Sequence, residues 1–288
     1  MADIDYRAVA IEAGLPRVGA RPSLWRYLVD LWHRRRFATT LARYRLEATL
    51  SEQRLGIAWV VISPLLQAAV YGTVFGIIMT SDSRPDNFVP FLVTGFFLFT
   101  FFSQSFSQGA KALTGNVSLV RSLHFPRMLL PVSAVLKELY TLAPMLVVLV
   151  AILIGFGELP TLNWLLMVPI LALMTMFNLG VALIAARLTV HLRDIGQLIP
   201  IITRILFYAS GIFYSIDLVL APPAHPAWML QVAQFNPVHA FIELGRGALQ
   251  TTQELEPLLW VVASGSALVT LVFGVVFFWR AEERYGRA

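Results

Sequence analysis

The stretch Asn116 to Val135, NVSLVRSLHFPRMLLPVSAV, places Arg121, His124 and Arg127 around a Phe-Pro pair between two runs apolar enough to cross a bilayer. Cations at such a place serve as topology signals or as a contact surface for another protein. A short helix here, pinned by Pro126 and Pro131, makes a rigid contact, with Val120, Arg121, His124, Phe125, Pro126 and Arg127 able to dock in a partner's groove. An ordinary basic loop accounts for the same residues.

Other chemistry is sparse. No GxxxxGK[ST] occurs, so no ATPase is expected on this chain. Asp3 and Asp5 form a DxD, but in a polar tail with no fold around it. His191 and Asp194 are spaced to meet on a helix face, yet Arg193 lies between them and no third ligand is near; a loop pair fits better than a metal site. His225 and His239 read as interface residues, and Glu243 with Arg246 fits an i,i+3 ion pair. A proton relay needs buried carboxylates, and the apolar runs hold only Glu138, beside Lys137 at one lip of the third run. Arg204, near the end of the fifth run, reaches interfacial water on its long stem. No catalytic cluster, metal or cofactor is expected on this chain.

These residues sit in a chain that is 57% hydrophobic and only 14% charged over 288 residues, too apolar for a water-facing surface. The formal charge of +5 would suggest nucleic acid in a soluble protein. Here the basic residues lie mainly between and before apolar runs, so no nucleic-acid partner is implied. The absence of cysteine excludes disulfides and thiolate chemistry. The first fifty or so residues lack a short apolar core followed by small residues, so the first span is expected to act as the insertion signal.

The expected fold is an all-α membrane protein with six spans: Gly56 to Met79, Phe88 to Phe106, Val132 to Phe156, Trp164 to Ala186, Leu198 to Ser215 and Pro257 to Trp279. Each is close to the roughly 20 residues a helix needs to cross a core of about 30 Å. Residues 1–22 form a polar tail, 23–55 an amphipathic region and 56–288 the membrane domain. Arginine and lysine crowd the segment before the first span, the second and fourth loops and the tail, whereas the opposite set offers only Arg84 and Arg246. Both termini are therefore expected in the cytoplasm of a multi-pass protein of the plasma membrane.

Before the first span, Leu24, Trp25, Leu28, Leu31 and Trp32 share one helical face, with Arg26, Arg34, Arg35 and Arg36 elsewhere. Such a helix lies in the inner interface with its basic side on anionic headgroups. Before the last span, residues 216–250 are half apolar and broken by Pro222, Pro223, Pro226 and Pro237. Short helices that dip into the outer leaflet and return fit this pattern, provided protein covers their exposed backbone. Asn236 before Pro237 reads as a helix start, the amide capping and proline at the first position.

GFFLFTFFSQSFSQG in the second span carries Phe96, Phe97, Phe99, Phe101, Phe102 and Phe106 with Gln104 and Gln108. Lipid-facing rings are the default for most of these, and some must turn inward on so uniform a helix. With Tyr71, Tyr208 and Tyr214, the residues Phe97, Phe101, Phe102 and Gln104 are candidates to line a path. Aromatic faces stack on the C–H faces of sugars without charge, which suits a neutral glycan better than an ion.

Four segments carry a resemblance: RYRLEATLSEQRLGIAWVVISPLLQAAVYGTVFG, SLVRSLHFPRMLLPVSAVL, LRDIGQLIPIITRILFYASGIFYS and FNPVHAFIELGRGAL. From about Leu24 onward the chain resembles the membrane subunit of ABC-2 type polysaccharide exporters, the Wzm/TagG family. One departure is SGIFYS, where that family commonly has proline after the first serine and this chain has Gly211.

The resemblance implies a homodimeric permease that pairs with two copies of a separate ATPase subunit, which binds ATP and magnesium. The cargo it implies is a lipid-linked polysaccharide, and similarity to actinobacterial members points to a galactan precursor. O-antigen or teichoic acid precursors, multidrug export and a membrane-embedded glycosyltransferase are the alternatives. It further implies that the stretch from Val117 to Arg127, through Val120, Arg121, His124, Phe125, Pro126 and Arg127, couples with Arg193 and Asp194 to the ATPase, and that Trp25, Trp32 and Arg34 to Arg36 lie at the lipid entrance. Asn236, Pro237, Glu243 and Arg246 would then shape the exit.

Overall fold

The computed structural model describes residues 22–51, 56–78, 87–123, 125–192, 194–219, 226–253 and 255–282. Among them the secondary structure is entirely helical. The described residues open with α1 (Leu24–His33) and α2 (Arg35–Ser51), followed by α3 (Ile57–Ile78) and α4 (Phe88–Ala110). The short α5 (Val117–Ser122) leads into α6 (Leu129–Gly155), α7 (Met167–His191) and α8 (Ile195–Ala209). Then come α9 (Ile216–Val219), α10 (Ala227–Gln234), α11 (Pro237–Leu249) and α12 (Pro257–Trp279).

Among the described residues, five helical stretches are long and apolar enough to cross a membrane: α3, α4, α6, the run Leu162–His191 ending in α7, and α12. The expected fifth span differs. Its helix stops at Ala209, because Ser210 ends the turn and Gly211 takes a left-handed φ of 66°. Glycine at that place is a favoured helix terminator, since it adopts positive φ without a Cβ penalty. At about 1.5 Å per residue the remaining helix is too short to cross the core by itself. The amphipathic region is also divided, into α1 and α2 at Arg34, where the continuous pattern suggested one helix.

α4 is the hub. In its most apolar window 78% of residues are buried, against 17% in α3, which lies at the periphery. Phe96, Phe97, Phe99, Phe101 and Phe102 are all buried, so the rings expected to meet lipid instead pack against protein. Phe102 stacks on Phe106 and Phe177, and Phe177 in turn meets Phe241 of α11. Lipid tails are as apolar as a protein core, so a uniformly aromatic helix gives no polarity signal for its position.

Small residues let the helices close. α7 and α12 cross at Gly180 and Gly274, where a Cβ on Gly274 would lie 2.6 Å from the Gly180 carbonyl oxygen. Gly109 of α4 likewise meets Ala182 of α7 too closely for a side chain. Such crossings are how helices associate where no hydrophobic drive separates protein from lipid. The resulting bundle has a near end, carrying α1, α2 and α5, and a far end, carrying α9 to α11.

Candidate functional site

A cavity of about 630 Å³ opens between α2, α3, α4, α6 and α8. Tyr71, Phe96, Phe99, Phe101, Phe207 and Tyr208 supply aromatic wall. Gln67, Ser103, Gln104, Ser107, Thr141 and the charged Lys137, Glu138 and Arg204 supply polar groups. Tyr71 and Phe96 both meet Phe207 across the space between α3, α4 and α8, with Tyr71 and Phe207 centroids 5.1 Å apart. The cavity thus collects four of the seven expected path residues: Tyr71, Phe101, Gln104 and Tyr208. Phe97 and Phe102 are instead packed in the core, and Tyr214 donates to the Tyr208 carbonyl at 2.7 Å. Trp59 and Phe207 also line it, although the pattern of spans singled out neither.

At the near end, the segment after α5 is tied to the rest of the chain. Val120 is buried, and the Phe125 ring lies 5.1 Å from Phe37 of α2. The Pro126 carbonyl accepts the Leu129 N–H that opens α6. Arg127 donates from its backbone N–H to Glu282 at 3.1 Å and from its guanidinium to the Glu282 carbonyl. Tyr27 of α1 completes this junction: its hydroxyl donates to Glu282 at 2.9 Å and accepts from the Met128 N–H at 3.2 Å. Burial pushes the Glu282 carboxyl above its ordinary range, and its bonds with Arg127 and Tyr27 only partly oppose that. Arg45 of α2 adds a second tie, donating to Ser133 and to Asn116.

Of the other expected near-end residues, Trp25 and Trp32 project outward, 77% and 65% exposed, while Tyr27 turns inward from the same helix. Arg34 is exposed at the break between α1 and α2, Arg36 is exposed one turn on, and Arg35 lies over the Trp32 ring. Arg121 is exposed on α5. Asp194 is exposed at the start of α8, and His191 bonds back to the Arg187 carbonyl of its own helix. His124 and Arg193 lie outside the described residues.

At the far end, α11 starts as its sequence suggests: the Asn236 side chain accepts from the Val238 N–H at 3.0 Å, with Pro237 at the first position. The Glu243–Arg246 pair forms at 2.6 Å, but Arg246 does much more. Fully buried, it donates to the carbonyls of Phe91, Gly211 and Ile212 and lies over the Phe91 ring. One guanidinium therefore fastens α4, the break after α8 and α11 together, using the fork of donors that only arginine has. Gly95 makes room for it, since a Cβ there would sit 2.6 Å from the Arg246 guanidinium.

A second far-end knot centres on Glu158, just beyond α6. It accepts from the Thr251 N–H, the Thr251 hydroxyl and the Asn87 amide, each at 2.9 Å. Burial pushes this carboxyl up, but the three bonds outweigh it and leave the group below its ordinary range.

The sequence that builds this bundle is matched by the family model for the ABC-2 type transporter over residues 37–249. The chain belongs to the ABC-2 family. Members are the membrane parts of transporters, so this ABC-2 chain is a multi-pass membrane protein. An O-antigen export system permease protein from Klebsiella pneumoniae is 27% identical over 217 residues, covering 75% of this chain and 78% of the relative. A second from Klebsiella pneumoniae is 28% identical over 188 residues, 65% of this chain and 70% of the relative. One from Myxococcus xanthus is 25% identical over 194 residues, 67% and 74% of the two chains.

Proposed function

We propose that this ABC-2 chain is the permease subunit of an ATP-driven exporter that moves a lipid-linked polysaccharide across the plasma membrane. The cavity carries this reading: its walls join aromatic rings to hydroxyl, amide and charged groups, a lining suited to a hydroxyl-rich chain. The names of the Klebsiella and Myxococcus relatives support the cargo class. Among such cargoes, the resemblance to actinobacterial members favours a galactan precursor.

Two copies of the chain form the conduit. The cavity opens beside α3 and α8, whose exposed Leu66, Val70, Ile201 and Ile205 leave a broad apolar face for a second copy and for lipid. The near end is cytoplasmic, and both termini lie on that side. There α5 and the segment to Arg127, with Arg193 and Asp194, receive two copies of the ATPase subunit, which binds ATP and magnesium. α1 lies in the interface at the lipid entrance, its exposed Trp25 and Trp32 in the headgroup region. At the outer face, α8 with the segment through Ser215 makes the sixth crossing. α9 to α11 form the re-entrant hairpin at the exit, held by Arg246.

The test is reconstitution. Vesicles holding this chain with its ATPase subunit should move the lipid-linked glycan on addition of ATP, and vesicles holding this chain alone should not. Uphill movement by the chain alone overturns the reading. In cells depleted of the chain, the lipid-linked intermediate that accumulates names the glycan.

A further inference from the structure

Lys137 and Glu138 form a pair that nothing in the bundle explains. The Lys137 ammonium donates to Glu138 at 2.9 Å, with the lysine side chain 18% exposed and the carboxylate 4%. Adjacent positions on a helix do not face one another, so the pair does not act as a helix-stabilising i,i+4 bridge. A buried ion pair is commonly no better for stability than an apolar pair of similar size. Both residues nevertheless line the cavity.

We infer that Lys137 and Glu138 form a sugar-binding subsite in the cavity, reading the hydroxyls of an uncharged glycan. Glu138 has a second carboxylate oxygen to accept from a hydroxyl, and the Lys137 ammonium has further protons to donate. A neighbouring pair of hydroxyls on one sugar ring can satisfy both at once. Around them, α4 presents Ser103, Gln104 and Ser107, and Phe101 with Trp59 offers aromatic surface.

The charges select the ligand class. Lys137 and Arg204 disfavour a cationic drug, and pairing with Glu138 at 2.9 Å leaves the Lys137 charge partly neutralised and less open to an anion. A lipid tail would leave the pair's remaining hydrogen-bonding capacity unused in an apolar site. A neutral polyhydroxyl chain meets none of these penalties. This inference rests on the glycan-export reading and assigns a binding role to two of the cavity's charged residues.

The absence of cysteine makes a clean reporter available. Thr141 lines the cavity one turn from the pair, its hydroxyl bonded to the Lys137 carbonyl at 2.9 Å. In the reconstituted complex with the ATPase subunit, Thr141→Cys is alkylated with N-ethylmaleimide. The reaction is run with a short neutral galacto-oligosaccharide, with inorganic pyrophosphate or with neither. The oligosaccharide should slow alkylation and pyrophosphate should not.

Adding Glu138→Gln should weaken that protection about tenfold, the loss of one hydrogen bond to a charged group. The double change Lys137→Met with Glu138→Gln removes both charges, avoids a lone buried ion and should abolish protection. Protection by pyrophosphate alone, protection by neither, or protection unchanged in the double variant overturns the subsite. ATP-dependent export by the parent complex is measured alongside. Export without protection removes the subsite and leaves the transport reading standing, whereas protection without export does the reverse.

Discussion

The two ends of the bundle each bury a carboxylate against helix termini, yet they handle it in opposite ways. At the far end, Glu158 receives three hydrogen bonds that more than offset its burial and hold it below the ordinary carboxylate range. At the near end, Glu282 is met by Tyr27 and Arg127, but burial prevails and raises it. The far end is therefore a joint whose carboxylate is well satisfied, with Arg246 pinning α4, the α8 break and α11 beside it. The near end is a joint whose charged centre is less well compensated for its burial. Under the coupling proposed for the near end, that side has to move while the far-end scaffold holds.

The largest effect should come from breaking the far end. Arg246→Met leaves three carbonyls and the part-buried Glu243 without their donor, so we expect a loss of about 3–5 kcal/mol and failure to isolate a monodisperse protein. Arg246→Lys should not rescue it, because an ammonium cannot span all of these acceptors. Size-exclusion chromatography and thermal unfolding in detergent read both outcomes. A well-folded Met variant would show that the guanidinium is not the fastening.

Next in size is the near-end surface. Phe125→Asp places a charge where the ring packs on Phe37 and in the segment proposed to meet the ATPase. Copurification of the ATPase subunit should fall about tenfold or more, corresponding to about 1.4 kcal/mol. Undiminished pull-down and transport would move the contact elsewhere.

Tyr27→Phe is a finer cut, removing the one hydroxyl that links Glu282 to the Met128 N–H. A stability loss of about 1–2 kcal/mol is expected, with assembly intact and transport per ATP hydrolysed reduced. Equal transport efficiency in parent and variant would reduce Tyr27 to a packing residue.

The smallest effect, and the sharpest test of the comparison, is pH. Glu158 has a lowered carboxyl, so its contribution is present above the ordinary range, about pH 4, and is lost as the pH falls through its folded value. Glu282 has a raised carboxyl, so its contribution is present below that range and is lost as the pH rises through its folded value. In scans of melting temperature against pH, Glu158→Gln should flatten the acid limb and Glu282→Gln the limb on rising pH. Identical changes in both variants would erase the distinction between the two ends.

Features with local causes were legible in the chain. Asn236 and Pro237 start α11 as their types require, and Glu243 and Arg246 pair at the spacing that brings them together. The last span runs from Pro257 to Trp279, as the apolar run indicates. Gly211 marks the break after α8, though the apolar pattern continues to Ser215 and hides how early the helix stops. The cavity was partly legible: Tyr71, Phe101, Gln104 and Tyr208 line it, but so do Lys137 and Glu138, which position alone placed at a lip of the bundle. The near-end junction was not legible. Tyr27 and Glu282 are 255 residues apart, and neither carries a motif.

By itself, the amino-acid order determined that this is a helical membrane chain and roughly where five of its spans lie. Those properties depend on hydropathy summed along short windows and on nearest-neighbour caps. Only the tertiary structure decided that α4 is the buried hub, that Arg246 ties together carbonyls from separate elements, and which polar groups share the cavity. In a bilayer the outside of the protein is as apolar as its inside, so hydropathy cannot tell the two apart. The choice falls to shape: small residues such as Gly180 and Gly274 permit close helix crossings, and those crossings bring distant polar groups within reach of one another.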